Sequence, residues 1–447
     1  MTTLPAREIA REFVRRFGRD VVAWQGLESA CEHWFADDAC VAYVDTGSAW
    51  VAAGSPWCEA GRTAAIAQAF VAAARERGRR ACFFGAEQPG QLTGQGAMLL
   101  GEQPMFEPAL WPEKAAKYPR LKEQLRRARA KGVQVRRVEA EELAAGAPLR
   151  QAVDALAEGW LRARHLEPMG FLLTLEPWLF AADHRYYAAE RDGRVMAFCS
   201  LVPVPARRGW LVEDLFRDRC VPNGTTELLL DAAIRDAAGD AFVSLGLAPL
   251  SGPVSPVLLA ARAIGAPLFD FRSLRAFKQR LHPDRWEQVW LVHPPRRAVV
   301  ALIDSLRAFA RGSLIAFGWH SIVRRPSGAP WLLAVPLVPW TMFLALLIAF
   351  DDGQLLGFGR PALCAWVLWD AMLALLLFRT ARRPRRSRLV WLSCAAALDA
   401  VLSALHIVRV GVGHGLFANA LRLAGMLAPI GATVALAWAG KRAPPPN

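Results

Sequence analysis

The sequence predicts an α/β (α+β) protein in which two similarly built lobes are joined by a basic helix and followed by a four-helix transmembrane bundle. Three observations carry that expectation. Strand–helix–strand patterning occurs twice before residue 293, a helical segment crowded with Arg and Lys lies between the two occurrences, and four long apolar runs close the chain. The matching divisions are 1–105 for the first lobe, 106–137 for the basic linker, 138–293 for the second lobe, 294–325 for an amphipathic juxtamembrane segment and 326–447 for the membrane part.

A chain of 447 residues leaves room for two or three domains. Hydrophobic residues make up 54%, above the norm for a soluble protein, and the excess lies toward the C-terminus. The net charge of +14, with Arg far outnumbering Lys, implies an anionic partner, either nucleic acid or an acidic membrane surface. Eight cysteines (Cys31, Cys40, Cys58, Cys82, Cys199, Cys220, Cys364 and Cys394) show neither CxxC nor Cys–His spacing, so no metal site and no disulfide framework is expected. They read as thiols in a reducing compartment. Residues 1–19 interleave Arg and Glu without an apolar core, which argues against a secretory signal peptide.

In the first lobe, residues 39–53 read as two short strands about a turn at Asp45, Gly47 and Ser48. Gly54-Ser-Pro56 breaks the pattern, a helix follows over 63–77 with Ile66, Phe70 and Val71 on its apolar face, and 81–84 is a strand. Gln91 to Gly96 has the Q-x-x-G-x-G spacing with which GNAT acyltransferases cradle the pyrophosphate of CoA. That chemistry needs a helix to begin at the loop, and the residues here, Ala97 to Leu100, are strand-like instead. In the linker, a helix over 119–130 closed by Gly132 places Arg120, Arg127 and Lys131 along one side and Lys122, Arg126 and Arg129 along another. It suits either a solvated connector or contact with a nucleic-acid backbone.

The second lobe starts with a helix over 152–164, Trp160 and Leu161 facing inward, followed by a hairpin whose Asp192-Gly193 turn joins 186–190 to 195–202. A strand over 210–216 leads through Asn223-Gly224-Thr225 into a helix over 225–238, with Glu227 in its first turn. This junction is an ordinary N-cap or an anion-receiving helix start. A strand over 242–247 then runs into a turn containing Gly246, Pro249, Ser251 and Gly252, either a plain core exit or one wall of a cleft.

Several stretches resemble the catalytic domain of the bacterial multiple peptide resistance factors, the phosphatidylglycerol lysyl- and alanyltransferases. These are VAYVDTGSAWVAAGSP (41–56), GEQPMF (101–106), LKEQLRRARAKG (121–132), Gly170-Phe171, YYAAERDGRVMAFCSLVP (186–203), DLFR with PNGTTELLL, VSLGLAPLSG, and FRSLRAFKQRLHPDRWEQVWL (271–291). The resemblance implies tandem GNAT-like lobes and transfer of an amino acid from an aminoacyl-tRNA to the glycerol hydroxyl of phosphatidylglycerol, in a tunnel through the second lobe and with no cofactor. It assigns catalytic positions to Asp214, Arg217 and Lys278; the helix start and the glycine turn offer Asn223, Gly224, Thr225, Gly246 and Ser251 as candidate substrate contacts, and the basic helix offers Arg120, Arg126, Arg127 and Lys131 as candidate tRNA contacts. Asp214 could pair with the aminoacyl ammonium, accept the hydroxyl proton, or simply form an ion pair with Arg217; Arg217 and Lys278 could hold the lipid phosphate. Glu227 and Leu281 depart from the usual Asp and Phe, and the membrane helices lie C-terminal to the catalytic region instead of N-terminal.

The apolar runs are 331–350, 362–378, 389–408 and 416–440, preceded by an amphipathic stretch over 297–311 with Val300, Ile303, Leu306 and Ala310 on one face. Arg324 and Arg325, the arginines between 379 and 388, and Lys441 with Arg442 place both ends of the bundle in the cytoplasm, so the catalytic region faces the inner leaflet of the cell inner membrane. Asp370, Asp399 and Arg422 fall inside spans, where they read as an internal ion pair or as a path for a lipid headgroup. The sequence reading is thus an aminoacyltransferase with an aminoacyl-tRNA and an anionic phospholipid as partners. The alternatives are an acyltransferase using acyl-CoA or an acyl carrier, and a non-catalytic binding module.

Overall fold

The computed structural model describes residues 4–92, 94–163, 169–256, 258–259, 262, 271–314, 316–317, 328–350, 359–382, 384–410 and 416–442. They fall into two compact units, one comprising the described residues up to Leu314 and the other those from Ala316 onward.

The first unit opens with α1 (Leu4–Phe17), which buries Ala10 and Val14 and turns Arg11 and Arg15 toward Asp183. Strands β1 (Glu32–Ala36), β2 (Ala39–Asp45) and β3 (Ala49–Ala53) lead into α2 (Thr63–Glu76), β4 (Arg80–Ala86) and the long β5 (Gly96–Phe106). The linker region forms α3 (Trp111–Lys117) and α4 (Pro119–Ala130), and then an edge strand, β6 (Gln134–Val138). The second half continues with α5 (Pro148–Ala163), β7 (Arg185–Arg191), β8 (Arg194–Val204), β9 (Gly209–Arg217), α6 (Thr225–Asp236), β10 (Phe242–Ser244) and β11 (Ala248–Pro249). It ends in α7 (Phe271–Arg280), β12 (Arg285–His293) and α8 (Ala298–Phe309).

Twelve strands make one sheet in the order β1-β2-β3-β4-β12-β5-β10-β9-β8-β7-β6, with β11 also on β5. Two neighbouring pairs are parallel, β3 with β4 and β9 with β10, and each is bridged by a helix, α2 or α6, because a parallel return needs a crossover. The expected repetition of strand, helix and strand is therefore present. What spacing alone could not show is the seam. The last strand, β12, inserts between β4 and β5 of the first half, and β5 in turn pairs with β10 of the second.

Helix α8 lies within the amphipathic stretch and buries its small and polar face. Ala301, Asp304, Ser305 and Ala308 face the sheet, with Asp304 accepting from Arg80 (2.8 and 2.9 Å) and Ser48 (3.0 Å). Of the predicted apolar stripe, Ala310 is buried, whereas Val300, Ile303 and Leu306 stay exposed. Polar anchoring of the inner face thus leaves an apolar face outward.

The second unit consists of α9 (Gly328–Phe350), α10 (Arg360–Arg382), α11 (Arg386–Val410) and α12 (Leu416–Arg442). Among the described residues three helices are long and apolar enough to cross a membrane, over 328–348, 360–382 and 386–409. The helix expected as a fourth span, α12, is 27 residues long but is not among those three. The side chain of Arg422 lies outside the described residues, and so does any ion pair it makes.

Candidate active site

The chemistry of the second lobe centres on an irregularity between β8 and β9. Ser200 pairs with Asp214 but Leu201 pairs with Val212, so Glu213 is an extra residue in β9. Such a bulge turns two consecutive side chains to one side and re-aims them. Cys199 and Leu215 pack under α6, whereas Phe198 and Phe216 pack on the opposite, α5 face with Trp160. Asp214, opposite Ser200, belongs to the α5 face, and Glu213 joins it there. Arg217 pairs with Ala197, whose side chain lies on the α6 face, and stands at the exposed strand end. The two ends of the D-x-x-R motif therefore diverge, and no ion pair between Asp214 and Arg217 occurs among the described residues.

Two further carboxylates reach this face from elements remote in sequence. Glu28 ends the turn Trp24–Leu27, and Glu176 follows a strained segment in which Phe171 and Leu172 both take positive φ (37° and 60°). Gln25 holds that segment by donating to the Leu172 carbonyl (2.8 Å). Thr174 N–H donates to Glu28 Oε2 (3.0 Å), Ser29 N–H to Glu176 Oε2 (2.9 Å), and Ser200 Oγ to Asp214 Oδ2 (2.8 Å). None of Glu28, Glu176, Glu213 or Asp214 makes a salt bridge among the described residues, and Glu28 Oε1 is buried without a hydrogen bond.

Burial without a counter-charge raises the proton affinity of three of these carboxyls. Burial, assisted by Glu176 and Asp214, pushes Glu28 up to about 8; burial pushes Asp214 up to about 6 and moves Glu213 well upward, with Asp214 and Glu28 adding to it. An ammonium group entering here would relieve both the desolvation and the repulsion. The sign of the pH effect follows from the raised values. Such a group stabilises the fold fully below its ordinary value near 4.5 and loses that contribution as pH rises through about 8. Thermal melts of Glu28→Gln against wild type should therefore show the variant gaining relative stability from pH 4.5 to 8. A difference that does not change with pH would contradict this.

Lys278, predicted as catalytic, has a different setting. After Ser244, β10 leaves β9 and the chain turns to join β5 as β11, so the carbonyls of residues 245–247 lose a sheet partner. The buried Lys278 ammonium takes all three, Leu245 O and Gly246 O at 2.8 Å and Leu247 O at 2.9 Å. Burial lowers its proton affinity to about 7, while three acceptors favour the charged form. This also explains why the strand expected over 242–247 ends at Ser244.

The predicted substrate contacts are dispersed. Gly224, at φ +93°, packs against α4 so closely that a Cβ would lie 2.1 Å from Gln124 O, and Thr225 Oγ1 donates to Pro222 O (2.7 Å). With exposed Asn223 they open α6, on the sheet face away from Asp214. Gly246 N–H donates to Ser244 Oγ (3.1 Å), and Ser251 Oγ donates to Ala248 O (2.7 Å) and accepts from Glu102 N–H (3.1 Å).

Residues 11–293 match the family model for the C-terminal domain of phosphatidylglycerol lysyltransferase. The chain belongs to this family. Among solved structures, the C-terminal domain of a putative lysylphosphatidylglycerol synthetase from Agrobacterium fabrum is 22% identical, with 69% of this chain and 98% of that one covered and a TM-score of 0.60. L-PGS from Bacillus licheniformis is 17% identical, with coverage of 68% and 96% and a TM-score of 0.58. At these identities the likeness is one of fold, and it is the expected fold. A search of curated protein sequences finds no match.

Within the matched domain, α4 presents its basic residues outward. Leu121, Leu125 and Ala128 are buried, while Arg120, Arg126, Arg127 and Lys131 are exposed. Glu123 accepts from Arg126 (2.8 Å) and Arg127 (2.7 Å), which leaves Arg120 and Lys131 without an ion pair among the described residues. Motif reading singled out Asp214 but not Glu28, Glu176 or Glu213, which the structure gathers with it. The one local signal was the adjacency of Glu213 and Asp214, since an unbroken strand would place two neighbouring carboxylates on opposite faces.

Proposed function

We propose that the chain transfers an amino acid, lysine in preference to alanine, from an aminoacyl-tRNA to the glycerol hydroxyl of phosphatidylglycerol at the inner leaflet of the cytoplasmic membrane. The observation that carries this reading is the counter-charge-free cluster of Glu28, Glu176, Glu213 and Asp214, which suits a substrate with two ammonium groups. In the reaction the lipid hydroxyl oxygen bonds to the ester carbonyl carbon, the bond from that carbon to the ribose oxygen breaks, and the hydroxyl proton ends on the ribose. The ester is already activated, so positioning supplies much of the rate. Asp214, with its raised proton affinity near 6, is placed to relay the proton.

Three features suit the two substrates. The exposed cations of α4 fit an RNA backbone, the outward apolar face of α8 fits a bilayer surface, and the spanning helices keep the lipid at hand. An acyl-CoA reaction is disfavoured because the 11-residue strand β5, not a helix, follows the Gln91 to Gly96 loop, and a Cβ at Gly96 would press on the His293 ring at 2.6 Å.

Expression in a bacterium lacking aminoacylated lipids tests the reading. Mass spectrometry should show phosphatidylglycerol gaining the mass of a lysyl group with the wild-type chain and not with Asp214→Asn; an unchanged lipid profile with both would refute it. The RNA partner is tested separately by Arg120→Glu with Lys131→Glu, expected to weaken tRNA binding about tenfold or more and to reduce the salt slope by about two. Filter binding at several salt concentrations reads both, and identical curves would exclude α4 from the contact.

A further inference from the structure

Helix α8 carries its apolar side chains on the face turned away from the sheet. The inner face is held by polar contacts: Arg80 and Ser48 donate to the buried Asp304, and Arg307 donates to Ser48 Oγ (2.8 Å) and Thr46 O (3.1 Å). On the outer face Val299, Val300, Ile303 and Leu306 are 51%, 39%, 45% and 46% exposed. Arg296 and Arg297 precede the helix and Arg311 follows it, all exposed, and the end of α2 with its turn toward Arg80 adds exposed Arg75 and Arg77. None of these five arginines makes an ion pair among the described residues.

An apolar stripe edged with arginine fits an anionic leaflet, where the side chains enter the acyl boundary and each arginine near the lipid phosphates adds about 1 kcal/mol. A second protein copy would instead have to desolvate those arginines or pair with them. The chain runs on from α8 to α9, a helix long enough to span, which tethers this face near lipid at an effective concentration on the order of millimolar.

The end of α8 also supports the carboxylate site. Phe309 O accepts from Gly170 N–H (2.9 Å), and the Phe309 ring packs edge-on against Phe171 and Phe84, with centroids 5.3 and 5.0 Å away. A Cβ at Gly170 would lie 3.2 Å from Arg311 Cγ, so the two segments are in close contact. From this anchor the chain takes positive φ at Phe171 and Leu172, and then Thr174 N–H donates to Glu28 and Glu176 accepts from Ser29 N–H. Non-glycine residues at positive φ cost about 1–3 kcal/mol each and persist only where neighbours hold them. Phe309 and Gln25 are among those neighbours.

We propose that an anionic leaflet docks on the outer face of α8 and thereby regulates the carboxylate site. Seating the helix strengthens its hold on residues 170–174, and with it the placing of Glu28 and Glu176. The docking surface stands on α8 itself, and the regulatory role rests on the function proposed above.

The test is hydrogen exchange read by mass spectrometry on the full chain in detergent, in phosphatidylcholine nanodiscs, and in nanodiscs that also contain phosphatidylserine. That anionic lipid lacks the acceptor glycerol headgroup, so substrate binding does not contribute. Exchange of the 170–174 amides should slow about tenfold or more in the phosphatidylserine discs relative to detergent. Val300→Ser combined with Ile303→Ser and Leu306→Ser changes only exposed side chains, so this variant should melt like wild type in detergent and lose the slowing. Arg296→Gln with Arg297→Gln should reduce the preference for phosphatidylserine over phosphatidylcholine. A bimane on Ile303→Cys, in a chain with the exposed Cys220, Cys364 and Cys394 changed to Ser, should be quenched by nitroxide-labelled lipid. Equal exchange in every medium, slowing that survives the serine variant, no phosphatidylserine preference, or no quenching at position 303 would each overturn the proposal. So would protection in detergent that rises with protein concentration, the mark of a second copy on this face. None of these measurements needs catalysis, so a chain that shows leaflet-dependent protection but adds no lysine to lipid counts against the catalytic reading alone.

Discussion

Asp214→Asn is expected to lower aminoacyl transfer by about two to three orders of magnitude without lowering the melting temperature. Asn keeps the shape and still offers an oxygen to Ser200 Oγ, which donates at 2.8 Å in the wild type. It removes the charge that the β9 bulge sets beside Glu213, and with it the group placed to relay the hydroxyl proton. Because the cluster has no counter-charge, one carboxylate fewer relieves repulsion near neutral pH, so the variant should be as stable as wild type or more so. A purely structural Asp214 predicts the reverse, a lower melting temperature with transfer largely retained. Radiolabelled amino-acid transfer and circular dichroism melts on the same preparation separate the two.

Lys278→Met should cost about 3–5 kcal/mol of stability, the largest loss expected from any single substitution considered. The ammonium is the partner of three carbonyls that the sheet abandons where β10 leaves β9, and a thioether cannot replace it. Methionine has nearly the same length and keeps the apolar contacts of the stem, so the loss reports on the hydrogen bonds. Holding a lipid phosphate would need at least one of those three donors to be released. A Lys278→Met chain that unfolds at the wild-type temperature but fails to bind phosphatidylglycerol would return Lys278 to substrate binding.

Much of the lobes was legible because local rules decide them. Asp192-Gly193 forms its hairpin turn, with both residues at positive φ (51° and 72°), and the helices expected from 63 and from 225 start at Thr63 and Thr225. Tertiary partners decided the rest. Insertion of β12 between β4 and β5 depends on pairing between segments far apart in the chain, which no window of sequence reports. The bulge at Glu213 is set by the register of β8, and Glu28 and Glu176 become site residues only because the Phe171–Leu172 segment folds back on the Trp24–Leu27 turn. Composition leaves Gly224 as either an N-cap or an anion-receiving helix start, and the close contact with Gln124 that also requires a glycine there is visible only in the fold.

The most direct test of the account is reconstitution of the purified full chain in liposomes containing phosphatidylglycerol, supplied with lysyl-tRNA carrying labelled lysine. The account predicts label in the lipid fraction, dependence on intact charged tRNA, slower transfer from alanyl-tRNA, and a rate that rises with pH through about 6 as Asp214 ionises. Label that never enters the lipid, or that enters equally from free lysine or after the tRNA is digested, would contradict it.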